Sequence, residues 1–525
     1  MGRKRFTRWG QALKGDLGWV LCGGLLMGFT PAPLEAFPFA WIALAPLWWA
    51  VVRGTPRQAL LYGLVWGCGY HGLALFWITG IHPMTWMGVP WLASLLIALF
   101  CWLFITAWGA ALVGSWAFGM AWLDRVHPSP KMSRFAAILP RLASFSRILT
   151  GIALWCGLEA LWRSGDLWWS SLAYTQSPHN LLILHLGQLS GSGMVTAAIV
   201  LVNGILGEGL LSRRWQALGW ALSACLLLHG VGLTLYSRPL NNQNPLTLGI
   251  IQGNVPNEIK LYPAGWQKAI EGYTQGYLDL TRQGVDAVLT PETALPFIWN
   301  ESFRQTRSFY QAVLNQGVLV WMGGFGQNGD RLTNSLFTLS GTGEILHRYD
   351  KVKLVPLGEY IPFESLLSPF INRLSPLDAH LAFGEPDQIV QTPFGQAIVG
   401  ICYESAFADH FRRQTRQGGE FILTASNNAH YSEVMPAQHH AQDVMRAIEN
   451  DRWAARATNT GYSAWVDPHG RTLWISGINR YETYIGTLYR RQTQTLYVRW
   501  GDWLTPVLLV LMVAFQGGRW GIGNR

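Results

Sequence analysis

The chain has 525 residues, enough for two or more domains with separate cores. Charged residues make up only 13% of it and hydrophobic residues 50%, with 28 tryptophans, against about 25% charged in ordinary soluble domains; this excludes a purely soluble protein. The net charge of +9 does not point to nucleic acid, because the cations lie between apolar runs instead of massing on a polar domain.

Residues 1 to 16 carry Arg3, Lys4, Arg5, Arg8 and Lys14 ahead of an apolar run, Leu17 to Phe29. No small-residue cleavage site follows, so the run reads as an uncleaved first span. Further spans are expected near Phe39 to Val52, Ala59 to Thr79, Trp91 to Trp122, Ile148 to Trp162, Met194 to Leu211, Ala217 to Tyr236 and, after a long polar stretch, Trp503 to Phe515. Several are short for a straight span, so the first two are compatible with a tilted or re-entrant pair.

The basic loops, namely the N-terminus, Arg53/Arg57, the group Arg125, Lys131, Arg134, Arg141 and Arg147, the pair Arg213/Arg214 and the tail with Arg519 and Arg525, fall on alternate sides of the spans. By the positive-inside rule they lie in the cytoplasm, and the region between the seventh and eighth spans faces outward. Within the spans, Glu159 and Arg163 are four residues apart and are expected to pair on one helix face, and His71 reads as structural. Gly24/Gly28 and Gly63/Gly67 have the spacing of close helix packing.

From Pro239 to Arg499 the composition is that of a globular domain. Strands are expected at Leu246 to Gln252, Asp286 to Leu289, Val318 to Gly323, Gln396 to Cys402, Phe421 to Ala425 and Ser463 to Val466. Helices are expected at Ala264 to Gln283, Glu301 to Gln316, Ala406 to Gln417 and His439 to Thr458, with a hairpin over Asn334 to Tyr349. Alternating strands and helices define an α/β domain, whose chemistry gathers at strand ends.

Three strand ends hold reactive side chains. Thr290-Pro291-Glu292-Thr293 follows the second strand, and Tyr349-Asp350-Lys351 opens a turn that closes at Glu359. Val399-Gly400-Ile401-Cys402-Tyr403-Glu404 delivers a cysteine into a polar turn. Cys402 is the one cysteine outside the hydrophobic segments; Cys22, Cys68, Cys101, Cys156 and Cys225 lie within them, and no disulfide or zinc spacing exists. Taken singly, each is also what a solvated carboxylate, a loop lysine or a small buried hydrophobe would look like. Together they meet the needs of thiol acyl chemistry: a carboxylate to take the thiol proton, an ammonium to favour thiolate and oxyanion, and a nucleophile. Lys353 competes with Lys351 for the ammonium role.

The order Pro-Glu-Thr, Tyr-x-Lys, Cys-Tyr-Glu resembles the nitrilase (carbon-nitrogen hydrolase) superfamily with its Glu-Lys-Cys triad. Gln252-Gly253-Asn254-Val255-Pro256, Leu354-Val355-Pro356-Leu357-Gly358-Glu359, Ile401-Cys402-Tyr403-Glu404 and Arg446-Ala447-Ile448-Glu449-Asn450-Asp451-Arg452 resemble its membrane-bound branch, the apolipoprotein N-acyltransferase family. The resemblance implies a polytopic helical membrane domain over residues 1–238, an extracytoplasmic nitrilase-like αββα sandwich over 239–500 and a closing span with a short cytoplasmic tail over 501–525. It implies Glu292 as general base, Lys351 as oxyanion stabiliser, Cys402 as nucleophile and Glu359, Tyr403 and Glu404 in support, with no cofactor or metal.

The implied reaction moves an acyl chain from a membrane phospholipid, through a thioester on Cys402, to the α-amine of an S-diacylglyceryl-cysteine lipoprotein. The implied setting is the inner membrane, with the catalytic domain periplasmic and both termini cytoplasmic. The alternative is a membrane-tethered hydrolase of a small amide or nitrile. Two departures touch the acceptor side. Lys260 is followed by Leu261 and Tyr262 where the family has Trp, and Asn427-Asn428-Ala429-His430-Tyr431 replaces Asn-Asp-Ala-Trp-Phe.

Overall fold

A computed structural model describes residues 2–126, 139–299, 308–362, 381–429 and 431–523. The chain forms two compact units, one of Met1–Thr79, Leu95–Ser237 and Asp502–Arg525, the other of Gly80–Ser94 and Arg238–Gly501. His430, which marked one departure, lies outside the described residues, as do Lys131 and Arg134.

The first unit is helical. Helices occupy Gly2–Gly28, Ala45–Arg53, Pro56–Ala74, Leu139–Ser164, Ser192–Ser212, Gln216–Tyr236 and Leu504–Gly523, and Trp91–Val126 belongs to it from Leu95 on. Among the described residues, Trp91–Arg125, Ser192–Ser212 and Gln216–Tyr236 are long and apolar enough to cross a membrane, and Gly15–Gly28, Phe37–Arg53, Leu181–Ser190 and Leu504–Gly517 are shorter apolar stretches. Leu222, Leu226, Leu227 and Trp220 stand exposed on one of these helices, a surface that lipid covers at no cost and water does not.

Local chemistry fixes the helix starts. Pro56 occupies the first turn of its helix, where no backbone donor is missed, while Thr55 and Gln58 form a reciprocal capping box. Leu44 and Ala45 donate instead to Asn203 Oδ1 at 2.9 and 3.1 Å, so a side chain from a distant helix satisfies orphan amides in the apolar interior. Gly63 and Gly67 do serve close packing. A Cβ on either would stand 2.6 Å from the backbone of the helix Trp91–Val126, at Val113 O and Ala110 Cα.

The expected Glu159–Arg163 pair does not form. Glu159 accepts from Trp155 Nε1 (3.1 Å), Leu172 N (2.9 Å), Ser171 Oγ (2.8 Å) and Thr196 Oγ1 (2.9 Å), and Arg163 turns to Asp502 at 3.1 Å. Helical spacing brought the two within reach, but Trp155 on the same helix and three donors from other segments satisfy the buried carboxylate better than one cation. Arg147 and Glu208 form a pair that spacing did not reveal, at 2.6 Å, with Trp48 Nε1 on the same carboxylate at 3.1 Å.

The second unit stacks two six-stranded sheets. The strands are β1 Pro245–Gln252, β2 Ala287–Leu289, β3 Leu319–Asn328, β4 Arg331–Leu339, β5 Ile345–Asp350, β6 Val390–Thr392, β7 Gly395–Ile401, β8 Phe421–Ser426, β9 Ala454–Thr458, β10 Ala464–Val466, β11 Thr472–Ile475 and β12 Glu482–Tyr489. One sheet runs β12-β1-β2-β3-β4-β5, the other β11-β10-β9-β8-β7-β6. Leu248, Ile250, Leu289 and Trp321 of the first sheet pack with Val399, Ile401, Leu423 and Ala455 of the second, each fully buried aliphatic side chain contributing about 1.5–3 kcal/mol.

Outer helices complete the αββα order. Pro263–Arg282 buries Ala269, Tyr273, Tyr277 and Leu280, at spacings of three and four, against the first sheet and exposes Lys268, Glu271 and Arg282. The helix Val434–Asn450 lies in the second half of the unit.

That helix corrects the expectation of one helix from His439 to Thr458. It stops at Asn450 because Asp451 takes a left-handed backbone (φ 54°), and Ala454–Thr458 becomes β9, parallel to β8. The alanines at 454, 455 and 457 suit a helix by propensity, yet they fill a strand buried on both faces. The edge strands β6, β11 and β12 were not expected, and residues 301–307 of the helix expected from Glu301 lie outside the described residues, with Ser308–Gln316 helical.

Candidate active site

β2, β5 and β7 end toward one another across the sandwich. Parallel β2 runs into Thr290-Pro291-Glu292, whose Thr290 Oγ1 accepts from Gly323 N at 3.1 Å. Gly323 on β3 must be glycine, since a Cβ there would meet Pro291 O at 2.0 Å. The turn is thereby pressed against β3, with Glu292 buried behind it.

Lys351 follows β5 and is 1% exposed. Its Nζ lies 2.9 Å from both Glu292 Oε1 and Glu359 Oε1, and Asn334 Nδ2 from β4 donates to the same two oxygens at 2.7 and 3.0 Å. Glu359 is held in turn by Val355 N at 2.8 Å. Lys353 is elsewhere, with its Nζ 4.9 Å above the Phe407 ring.

Cys402 follows β7 with φ +51°, a left-handed backbone unusual for a residue with a Cβ. His439 Nε2 lies 2.7 Å from Cys402 O, while Asn428 Nδ2 donates to His439 Nδ1 at 3.2 Å. The proton therefore sits on Nε2 and is donated to the cysteine's carbonyl, so His439 braces the backbone and is not a base for the sulfur. Burial, and then the Arg456 guanidinium, hold His439 down to about 3, which keeps it neutral. The Cys402 thiol is 3.9 Å from Asn427 O.

Glu404 is fully buried and ties two of these strand ends together. It accepts from Ile401 N (2.7 Å) and Tyr349 OH (2.9 Å) on one oxygen and from Val352 N (2.6 Å) and Lys353 N (3.0 Å) on the other. Tyr403 packs edge-on against Phe407. Glu404→Gln places an amide NH₂ against backbone donors, and we expect a loss of about 3 kcal/mol in the stability of this unit. The check is the thermal unfolding midpoint of the purified protein; an unchanged midpoint would mean that the four bonds contribute nothing.

The electrostatics follow from burial and pairing. Burial and the Glu292 charge push the Cys402 thiol up to about 12, against the pull of Lys351. Burial raises Glu292, but Lys351, Lys260 and Asn334 outweigh it and leave the carboxyl below its ordinary range. Burial would discharge Lys351, yet Glu292 and Glu359 hold it protonated. At rest Glu292 is therefore a carboxylate, Lys351 is charged and the Cys402 thiol is neutral.

Two residues given no role in the site by the sequence share it. Asn334 bridges the carboxylates, and its signal was a lone amide inside a hairpin strand. Lys260, 3% exposed, donates from Nζ to Glu292 O at 3.1 Å and is held down to about 8 by burial, against the opposing fields of Glu292 and Cys402. Leu261 packs with Phe325, Leu354 and Leu381, and Tyr262 is half exposed.

A sandwich of this topology, with a carboxylate, an ammonium and a thiol converging from three strand ends, is a carbon-nitrogen hydrolase domain; the family model of that description matches residues 247–496. A second model, the apolipoprotein N-acyltransferase N-terminal domain, matches residues 23–205. The chain is 58% identical over 499 residues to the apolipoprotein N-acyltransferase of a Nostoc sp., covering 92% of this chain and 96% of that one. It is 49% identical over 510 residues to that of a Synechocystis sp., covering 92% and 97%. The chain belongs to the apolipoprotein N-acyltransferase family and is a membrane protein. Among solved structures, a nitrilase-superfamily amidase from Nesterenkonia is 18% identical, covers 50% of this chain and 95% of that chain, and has a TM-score of 0.37.

Proposed function

We propose that the protein takes a fatty acyl chain from a membrane phospholipid and delivers it, through a thioester on Cys402, to the N-terminal α-amine of an S-diacylglyceryl-cysteine lipoprotein. Lipoprotein N-acylation is the activity that its relatives are named for. The observation that carries the chemistry to these residues is Lys351 Nζ at 2.9 Å from two carboxylates beside the thiol of Cys402.

Glu292 takes the Cys402 proton as sulfur attacks the ester carbonyl, because a thiol held near 12 does not ionise alone at neutral pH. Lys351 faces the oxyanion of the tetrahedral intermediate. As that intermediate collapses the ester C–O bond breaks, and Glu292 returns its proton to the departing lysophospholipid oxygen. The α-amine then attacks the thioester, Glu292 accepts the amine's proton and passes it to the leaving thiolate, and an amide is released. Glu359 and Asn334 hold Lys351 and Glu292 in register, and Glu404 and Tyr403 support the turn.

The division into a membrane domain over 1–238, a catalytic domain over 239–500 and a closing span over 501–525 fits this role, since both substrates are lipid-anchored. So does an inner-membrane setting with the catalytic domain periplasmic and both termini cytoplasmic, which the distribution of Lys and Arg supports.

Incubation with labelled phospholipid should place an acyl group on the Cys402 peptide, detected by mass spectrometry, and a diacylglyceryl-cysteine peptide should then discharge it. No adduct, or one that only water removes, would sink the reading. The pH profile follows from Glu292. A carboxyl depressed in the folded state contributes stability above its unfolded value and loses it as pH falls through the folded one. Acyl-enzyme formation should therefore hold its rate down to about pH 4.5, the ordinary carboxyl value, and fail only below it. A rate already halved at pH 6 would contradict a Lys-paired base.

A further inference from the structure

The two carboxylates that share Lys351, those of Glu292 and Glu359, outnumber its single positive charge. Nearby, Asp443 and Arg456 cancel as an ion pair, and His439 is neutral. With Lys351 alone the pocket would carry a net negative charge, and an attacking thiolate or an oxyanion would form against it. Lys260, on the turn after β1, is buried, donates to the backbone oxygen of Glu292 at 3.1 Å, and lies within the fields of Glu292 and Cys402.

We propose that Lys260 is a positioning residue for acyl transfer: its ammonium fixes the Glu292 turn through the backbone oxygen and supplies the second positive charge that lets negative charge form at Cys402. This rests on the proposed reaction but is testable apart from it. No proton leaves Lys260 during the cycle. The proton moves between Cys402 and Glu292, and the ammonium compensates the charge that remains on sulfur and then on the oxyanion. Mere structural support predicts the opposite behaviour of the thiol, because loosening the Glu292 turn would expose Cys402 and speed its modification.

The experiment uses the purified full chain, with iodoacetamide alkylation read on the Cys402 peptide by mass spectrometry so that the other cysteines do not interfere. Lys260→Met should slow alkylation at pH 7 tenfold or more and slow single-turnover acyl-thioester formation about 100-fold. Lys260→Arg should restore alkylation to within a few-fold and move the alkaline limb of acylation, expected near pH 8 in the unaltered protein, upward by more than a unit. Faster or unchanged alkylation in Lys260→Met overturns the proposal. Should Lys260→Met not fold, Lys260→Arg decides, since an alkaline limb that stays in place overturns it equally. If alkylation responds as expected but no acyl thioester forms even in the unaltered protein, the acyl-transfer reading fails and the charge-balancing role stands.

Discussion

Cys402→Ala is expected to abolish both acyl-enzyme formation and acyl transfer, a loss of about 10⁴-fold or more, while the protein folds as before. Without sulfur neither half-reaction has a nucleophile, and the remaining donors can only bind substrate. The stability side is equally specific. Alanine carries the same Cβ into the left-handed backbone at φ +51°, so the strain is unchanged, and His439 still donates to the carbonyl of residue 402. The deleted sulfur is replaced by a void smaller than a side chain, costing about 1 kcal/mol. Transfer is measured with labelled phospholipid and a diacylglyceryl-cysteine peptide, and folding by the thermal midpoint. Transfer above a hundredth of the normal rate would remove Cys402 from the chemistry; a collapsed midpoint would make the loss uninterpretable for Ala and call for Cys402→Ser.

What could be read in the sequence was whatever is local. Glu292, Lys351 and Cys402 each follow a strand within a few residues, and strand ends are visible as apolar runs that break into polar turns. The α/β character of the domain was legible for the same reason, but β9 and the edge strands β6, β11 and β12 were not, and the pairing of two sheets came only from the family resemblance. Before β9 the stop signal is a left-handed Asp451, which an acidic residue gives only weakly, and the alanines that follow read as helix. Contacts between distant segments were not legible. Glu159 and Arg163 have ideal helical spacing, but the partners that win, Ser171, Leu172, Thr196 and Asp502, come from elsewhere in the unit. Lys260 is the counterpart in the site. In the sequence it served only as the landmark before Leu261 and Tyr262, and its importance arises from being folded beneath the backbone of Glu292, 32 residues away.

Lys351→Met is expected to damage stability and chemistry together, and a second substitution should separate them. The ammonium lies 2.9 Å from Glu292 and from Glu359, all three groups being buried or nearly so, and among the described residues Asn334 is the one further side-chain donor to both carboxylates. Removing the cation leaves two carboxylates facing each other in a poorly solvated cleft, which costs about 3–5 kcal/mol until one of them takes up a proton. Acyl-enzyme formation should fall about 10³-fold if Lys351 stabilises the oxyanion as proposed. The pH dependence then reverses sign. With Lys351 present, the depressed Glu292 makes the protein less stable as pH falls through its folded value. With Lys351→Met, a carboxyl raised by its neighbour binds a proton more tightly folded than unfolded, so acidification from pH 7 to pH 5 should raise the thermal midpoint. Adding Glu359→Gln removes one of the opposed charges and should recover most of the lost stability without recovering activity, a coupling that a double-mutant cycle measures directly. If the double variant were no more stable than Lys351→Met, repulsion between the carboxylates would not be what Lys351 relieves, and the ammonium's worth would lie in its hydrogen bonds alone.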